Sequence, residues 1–441
     1  MMINTNRRAI LKLAAAAAST AVLGGCAQTG GLGSLAAFGG SGGRVVVIGG
    51  GFGGTIAAKY IKQADPSIHV TLVERNTRYV TAPFSNAVLA GIHDLGFITR
   101  GYSQLRDKHG IEVIHDGVTA IDGDSKTVSL KQGKELDYDR LVISPGIDLR
   151  WANTEAGAET GIEGYDQAAV AQMPHAWKGT EQLQLLRRRL NAMDDGGVVI
   201  ISVPAGPISG PSAPYERASL IAYFMTMNKP RSKVLILDAN SSFTNQDLFV
   251  QGWEALYPGM IEWVSAADGG AVLRVDAGKG MVYSESEKYK GGVVNIIPPQ
   301  RAAGLAQLAG LSDDSGWCPV DQRSFESLRQ PGIHVIGDAS IAGEMPKSGF
   351  AANSQGKVVA AAVAGVLNGR APGEPSYLNT CYSLFNTEYG ISEAEVYRLA
   401  ANGRITAVPG AGGSSAENGN RLLEAAYADS WYANITADMF A

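Results

Sequence analysis

The chain has 441 residues, 45% of them hydrophobic and 18% charged, with a net charge of −5 at pH 7. That length exceeds one ordinary domain, and the acidic balance leaves no electrostatic footprint for nucleic acid. Its cysteines are Cys26, Cys318 and Cys381, with no CxxC or CxxCH and no close histidine pairs, so no disulfide framework, structural metal site or covalent c-type haem is expected.

The N-terminus reads as an address. Arg7-Arg8 precedes an alanine-rich apolar run from Leu13 to Leu23, as in a twin-arginine export signal. The run is too short and too weakly apolar for a comfortable membrane span. Two endings stay open. Leu23-Gly24-Gly25-Cys26 resembles a lipobox, which would place a lipid anchor on Cys26; the other ending is cleavage near Leu35-Ala36-Ala37. Residues 1–43 are therefore expected to be signal and Gly/Ser linker, and the mature protein periplasmic.

Arg44 to Ile48 is a β-branched run suited to a buried parallel strand. The turn Gly49-Gly50-Gly51-Phe52-Gly53-Gly54 follows and fits GxGxxG through Gly49, Gly51 and Gly54. Gly49 permits the tight turn, Gly51 the approach of a pyrophosphate, and Gly54 close packing of the next helix, predicted over Thr55 to Gln63. The helix N-terminus favours phosphate. A second strand, His69 to Val73, ends at Glu74, about 25 residues past the first glycine, where a carboxylate holds ribose hydroxyls. Gly53 and Arg75 complete this candidate set. Strand, glycine turn, helix and acid together are the confirming context that a lone fingerprint lacks.

Further along, Asp139 to Ser144 is a strand ending in the small cluster Pro145-Gly146. Residues 181–195 form an amphipathic helix with Leu183, Leu186 and Leu190 on one side, and Gly197 to Val203 a buried strand. A nicotinamide domain would now show its glycine turn. Pro204-Ala205-Gly206-Pro207-Ile208-Ser209-Gly210-Pro211 stands there instead, and prolines offer no amide protons to a pyrophosphate. A helix is predicted from Tyr215 to Met227 with Glu216 in its first turn, and a strand from Val234 to Leu237 still ends in Asp238. Electrons are therefore not expected to come from a nicotinamide. Near the far end, Gly332 to Ile336 is a strand running into Gly337-Asp338, and a helix is predicted after Lys347.

The segments at Asp139–Gly146 and Gly332–Ala339 resemble the two later FAD signatures of flavoproteins with two dinucleotide domains. Longer stretches are similar to the flavoprotein subunit of flavocytochrome c sulfide dehydrogenase: Pro214 to Ser219, Gly316 to Asp321, Met345 to Lys357, Pro375 to Ser383 and Ser430 to Tyr432. The resemblance implies a glutathione reductase-like α/β fold of two Rossmann-like domains plus a small C-terminal domain. It implies FAD, with Asp338 at the ribityl and pyrophosphate region and Lys347, Ser348 and Gly349 at a helix N-terminus facing the isoalloxazine. It also implies oxidation of sulfide or another small reductant, a c-type cytochrome subunit or soluble cytochrome c as electron acceptor, and Glu216 as an acid/base group. The expected domains are 44–155 and 291–370 for FAD, 156–290 for the second nucleotide-like region, and 371–441 for a flavin-covering domain.

Two departures bear on the chemistry. Where the family carries a flavin-linking cysteine in Thr-Cys-x-x-Ser-Asn, this chain has Thr81-Ala82-Pro83-Phe84-Ser85-Asn86, so non-covalent FAD is expected. Of the family's redox disulfide, one cysteine matches Cys318 and the other aligns with Gly210. Three readings of Cys318 follow: a lone reactive thiolate, a relic in a site with another small substrate, or a packed and inert thiol.

Overall fold

The computed structural model describes residues 42–151 and 161–441. Arg7, Arg8, Cys26, the linker up to Ser41 and the expected domain boundary at 155 lie outside the described residues.

The first half begins with β1 (Arg44–Ile48), α1 (Phe52–Ala64) and β2 (His69–Val73). The helix starts three residues earlier than expected, because Gly51 is its cap and Gly53 and Gly54 are its second and third residues. Next come a short helix, α2 (Ser85–Ala90), then β3 (Glu112–Ile114) and β4 (Arg140–Ile143). The second half holds α3 (Thr180–Ala192), β5 (Val198–Val203), α4 (Ala213–Asn228), β6 (Lys233–Asp238), β7 (Ile261–Val264) and β8 (Val293–Ile296). Pro214 sits in the first turn of α4, where its missing N–H costs nothing. The chain then returns with β9 (Ile333–Val335) and α5 (Gly349–Leu367) and ends in β10 (Ser376–Leu384), β11 (Gly390–Leu399) and α6 (Arg421–Phe440).

Five strands form one parallel sheet in the order β9-β4-β1-β2-β3. β9 therefore joins a sheet built from residues nearly two hundred positions earlier, and the second domain is inserted between them. That second domain is a parallel sheet in the order β7-β6-β5-β8. Here the expected boundary at 290 needs correction. β8 pairs with β5, Val199 opposite Val293 through Ser202 opposite Ile296, so the inserted region runs to Ile296. Antiparallel pairing of Ile147–Leu149 with Gln300–Ala302 joins the outgoing and returning connections.

α5 is apolar and long enough to cross a membrane, but most of it is buried in the fold. It packs against α1 so closely that a Cβ on Gly356 would lie 2.7 Å from the carbonyl of Gly53. The C-terminal hairpin β10–β11 pairs antiparallel from Ser376 opposite Arg398 to Leu384 opposite Gly390. α6 folds back on α1 and α5, with Asp438 accepting from Tyr60 Oη at 3.0 Å and pairing with Lys357 Nζ at 2.8 Å.

Candidate active site

A cleft of about 490 Å³ runs across the carboxyl ends of β1, β2 and β4 to the start of α5. This is where nucleotide ligands bind in open parallel sheets. The turn after β1 leaves no room for side chains. A Cβ on Gly49, whose φ is +101°, would sit 2.2 Å from the Ser144 carbonyl, and one on Gly54 would sit 1.9 Å from the Gly49 carbonyl. Gly49, Gly51 and Gly53 line the cleft, while Gly54 lies behind them and sets the approach of α1. Glu74 and Arg75 line it at one end, with Glu74 Oε2 accepting from the Gly50 N–H at 2.8 Å. Pro145 and Gly146 form one side. At the other end are Asp338, Ser348 and Gly349. Asp338 accepts from Ser209 Oγ at 2.6 Å, and its burial raises its pKa. Ser348 caps α5, accepting from the Ala351 N–H at 3.0 Å, so the positive end of a 19-residue helix faces the cleft. A glycine cradle, a carboxylate about 25 residues on and a helix N-terminus at the far end fit an extended dinucleotide such as FAD.

Lys347 does not line this cleft. Its ammonium donates to the carbonyls of Asp338 at 2.6 Å and Ser340 at 2.9 Å and lies 3.8 Å from the centroid of Trp317. Burial lowers its pKa to about 8. It braces the Asp338 turn from behind instead of meeting a ligand in the cleft.

A second cavity, about 160 Å³, shares the wall formed by Ala82, Pro83, Ser209, Ser348 and Gly349. Glu216 lies on it, at the start of α4. Glu216 accepts from Asn86 Nδ2 at 2.7 Å and from the Leu384 N–H at 3.0 Å, and burial raises its pKa. Asn86 Oδ1 in turn accepts from Arg217 Nε at 3.0 Å. Asn86 thus bridges a half-buried carboxyl and a buried guanidinium, and the guanidinium fixes which end of the amide faces Glu216. Gly210, on the same cavity, has a φ of +64° and donates its N–H to the Lys347 carbonyl at 2.7 Å.

Cys318 is fully buried and lines neither cavity. It is a free thiol whose pKa burial pushes up to about 12, with Lys347 only partly offsetting this. Of the three readings, a packed thiol fits this environment and a resting thiolate does not. The cysteine on the cavity wall is Cys381, which residue patterns did not single out. It stands opposite Glu393 in the β10–β11 hairpin. Burial pushes its pKa up to about 12 and raises that of Glu393. Glu393, Asn86 and Trp431 also went unremarked as site residues. The available signal was resemblance: Asn86 closes the Thr81–Asn86 stretch, Cys381 lies within Pro375–Ser383 and Trp431 within the terminal segment, while Glu393 had none.

The second nucleotide-like domain has its own acid, Asp238, but every lone-pair direction is taken. Oδ2 accepts from Tyr215 Oη at 2.6 Å and Trp263 Nε1 at 2.9 Å, and Oδ1 from the Asn240 N–H at 2.9 Å and Asn240 Nδ2 at 2.8 Å. Tyr215 stacks on Phe243 with ring centroids 3.6 Å apart. A ribose would have to break that network.

Residues 183–298 match the central region of the sulfide dehydrogenase (flavocytochrome c) flavoprotein chain, and residues 373–440 match the flavin-binding region of flavocytochrome c sulphide dehydrogenase. Residues 43–184 match the pyridine nucleotide-disulphide oxidoreductases. A sulfide dehydrogenase flavoprotein chain from Chlorobaculum thiosulfatiphilum is 69% identical over 45 residues, 10% of this chain and 94% of that sequence. A sulfide-quinone reductase from Aquifex aeolicus is 30% identical over 192 residues, 43% of this chain and 41% of the relative. A mitochondrial sulfide:quinone oxidoreductase from Mus musculus is 22% identical over 303 residues, covering 67% of this chain and 65% of the relative. The matches to these two longer relatives thus span less than two thirds of their lengths. The solved Aquifex aeolicus sulfide:quinone oxidoreductase superposes with a TM-score of 0.69 at 18% identity, over 90% of this chain and 92% of that one, a likeness of fold.

Proposed function

Since this chain belongs to the family of flavocytochrome c sulfide dehydrogenase flavoprotein chains, we propose that it is an FAD-dependent oxidoreductase taking electrons from sulfide or another small sulfur reductant and passing them to a c-type cytochrome. One observation carries the reading. The dinucleotide cleft and the Glu216 cavity share a wall at the N-terminus of α5, so a small donor in the second reaches whatever ring system occupies the near end of the first. When bound, FAD supplies a two-electron acceptor. Gly49, Gly51, Glu74 and Arg75 would hold its adenosine and pyrophosphate half, and Asp338, Ser348 and Gly349 the flavin half. The α5 N-terminus favours negative charge developing beside it.

Glu216 holds or takes a proton at the donor, and its raised pKa brings that exchange towards neutral pH. A disulfide relay has no part in this proposal, because Gly210 stands at one of its two positions and Cys318 is sealed in the core. The donor therefore meets the flavin directly. Gly210 and Ala82 also support a second reading, in which the same scaffold oxidises a different small substrate. Ala82 lies on the wall common to both cavities and has no sulfur to form a thioether, which supports non-covalent FAD. The twin-arginine pair Arg7-Arg8 supports a periplasmic location, with Cys26 as the candidate lipid anchor.

Anaerobic mixing of the FAD-loaded protein with sulfide, followed at the flavin absorbance, tests the proposal. Bleaching by sulfide and reoxidation by cytochrome c are the expected results. A flavin left oxidised by sulfide, persulfides and small thiols alike would remove the sulfur reading.

A further inference from the structure

Charge is arranged unusually on the wall of the second cavity. Cys381 and Glu393 are directly opposed cross-strand partners, so their side chains share one face of the hairpin. The Glu393 carboxyl accepts a hydrogen bond from Asn245 Nδ2 at 3.1 Å. Ser414 donates to Asn245 Oδ1, which turns the amide NH₂ towards the carboxyl. The charged neighbour that acts on Glu393 is Glu395, of like sign. Across the cavity, Glu216 shares Asn86 with Arg217. The guanidinium of Arg217 is itself engaged by Asn86, the carbonyls of His175 and Ala176, and Asn295, and lies 4.8 Å from the centroid of Trp177. The one cation on this wall among the described residues is thus already committed. Trp431 adds a buried indole N–H with no acceptor among the described residues.

We propose that this cavity admits its small reductant in the uncharged form, as H₂S or a neutral thiol in preference to hydrosulfide, sulfite or thiosulfate, and that Glu393 sets this selectivity. The proposal rests on the reading that a small donor enters here. An anion brought opposite Glu393 either meets a like charge or must hold the carboxyl protonated, and both cost free energy. Burial already pushes Glu216, Glu393 and Cys381 towards their protonated forms. An uncharged donor meets neither cost, and its lone pair can accept from the Trp431 N–H. A volume of about 160 Å³ suits a small donor.

The test uses the FAD-loaded protein and two probes of equal shape, acetamide and acetate, with binding read from the flavin difference spectrum. At neutral pH acetamide is expected to bind at least about tenfold more tightly than acetate, a gap that widens with pH as the carboxyls ionise. Glu393→Gln is expected to narrow the gap to within about threefold. Acetate binding as tightly as acetamide to the wild type overturns the proposal. So does a ratio that Glu393→Gln leaves unmoved, or that Glu395→Gln collapses equally, or a flavin spectrum that neither probe perturbs. Bleaching by 2-mercaptoethanol against mercaptoacetate separates the two levels of the argument. If neither thiol bleaches the flavin, the sulfur-reductant reading fails while the acetamide-to-acetate ratio still decides the charge selectivity.

Discussion

Replacing Glu216 by glutamine keeps the size of the side chain but changes what each terminal atom can do. The carboxyl accepts two hydrogen bonds, from Asn86 Nδ2 and the Leu384 N–H, and so ties α4 to α2 and to the end of β10. Glutamine has one acceptor, so its NH₂ must face one of these donors. Asn86 cannot rotate to relieve this, because its Oδ1 is held by Arg217 Nε. One buried donor is left unpaired, at a cost of about 1–3 kcal/mol. The pH dependence has a defined sign. Glu216 has a folded-state pKa above its ordinary 4.5, so the folded protein binds that proton more tightly than the unfolded chain does. That contribution to stability is complete below the ordinary carboxylate range and is lost as pH rises towards the folded-state value. Glutamine has no such slope. The variant is therefore expected to melt lowest relative to wild type below the ordinary carboxylate range, with the gap narrowing as pH rises towards the folded-state value. If Glu216 handles a proton in the reaction, flavin bleaching per bound FAD should fall by about 100- to 10,000-fold. That is about 3–5 kcal/mol of activation free energy, beyond what the lost hydrogen bond explains. Stopped-flow bleaching by sulfide and melting curves across pH measure both effects. A variant that bleaches at the wild-type rate with the wild-type pH profile refutes the acid/base role.

Other expectations follow from the same geometry. Denaturation followed by gel filtration should release all flavin from the polypeptide, since Ala82 offers no sulfur; flavin migrating with the chain would show a bond elsewhere. NADH should leave the flavin oxidised under anaerobic conditions because Asp238 is saturated by Tyr215, Trp263 and Asn240; bleaching as fast as with sulfide would contradict this. With its pKa pushed up to about 12, the buried Cys318 thiol should resist iodoacetamide in the native protein and react only on unfolding, as peptide mass spectrometry would report; rapid native labelling would restore it as a candidate nucleophile. Gly356→Val places a branched side chain where a Cβ already lies 2.7 Å from the Gly53 carbonyl. Overpacking should cost about 1–3 kcal/mol or more, and should separate α5 from α1 enough to lower FAD content, which a melt and a flavin-to-protein ratio would show.

What the sequence made legible was what local chain chemistry dictates. A β-branched run, glycines at fixed offsets and an acid about 25 residues on describe one strand-turn-helix-strand unit, and each part needs only its neighbours to form. Asp338 was legible only through the resemblance of Gly332–Ala339 to a later FAD signature, since the local chain shows no more than a strand entering a tight turn. Lys347 was misplaced because its segment is polar and begins a helix; only packing reveals that its ammonium turns back to the carbonyls of Asp338 and Ser340. The boundary at 290 failed likewise, since nothing in Val293–Ile296 says that its partner is Val198–Val203. Glu393, Cys381 and Trp431 come together from two strands and the last helix, a juxtaposition set by hairpin register and by how α6 folds back, so no spacing rule could expose it. The segment from Met345 to Lys357 meets several demands at once. Ser348 and Gly349 must wall two cavities, Ser348 must cap α5, and Gly356 must let α5 touch α1. A change there disturbs both cavities together, whereas Glu393 lines the second cavity and not the first, its other tie being to Asn245. That difference is why Glu393→Gln can test the proposed charge selectivity with the shared Ser348 and Gly349 wall left in place.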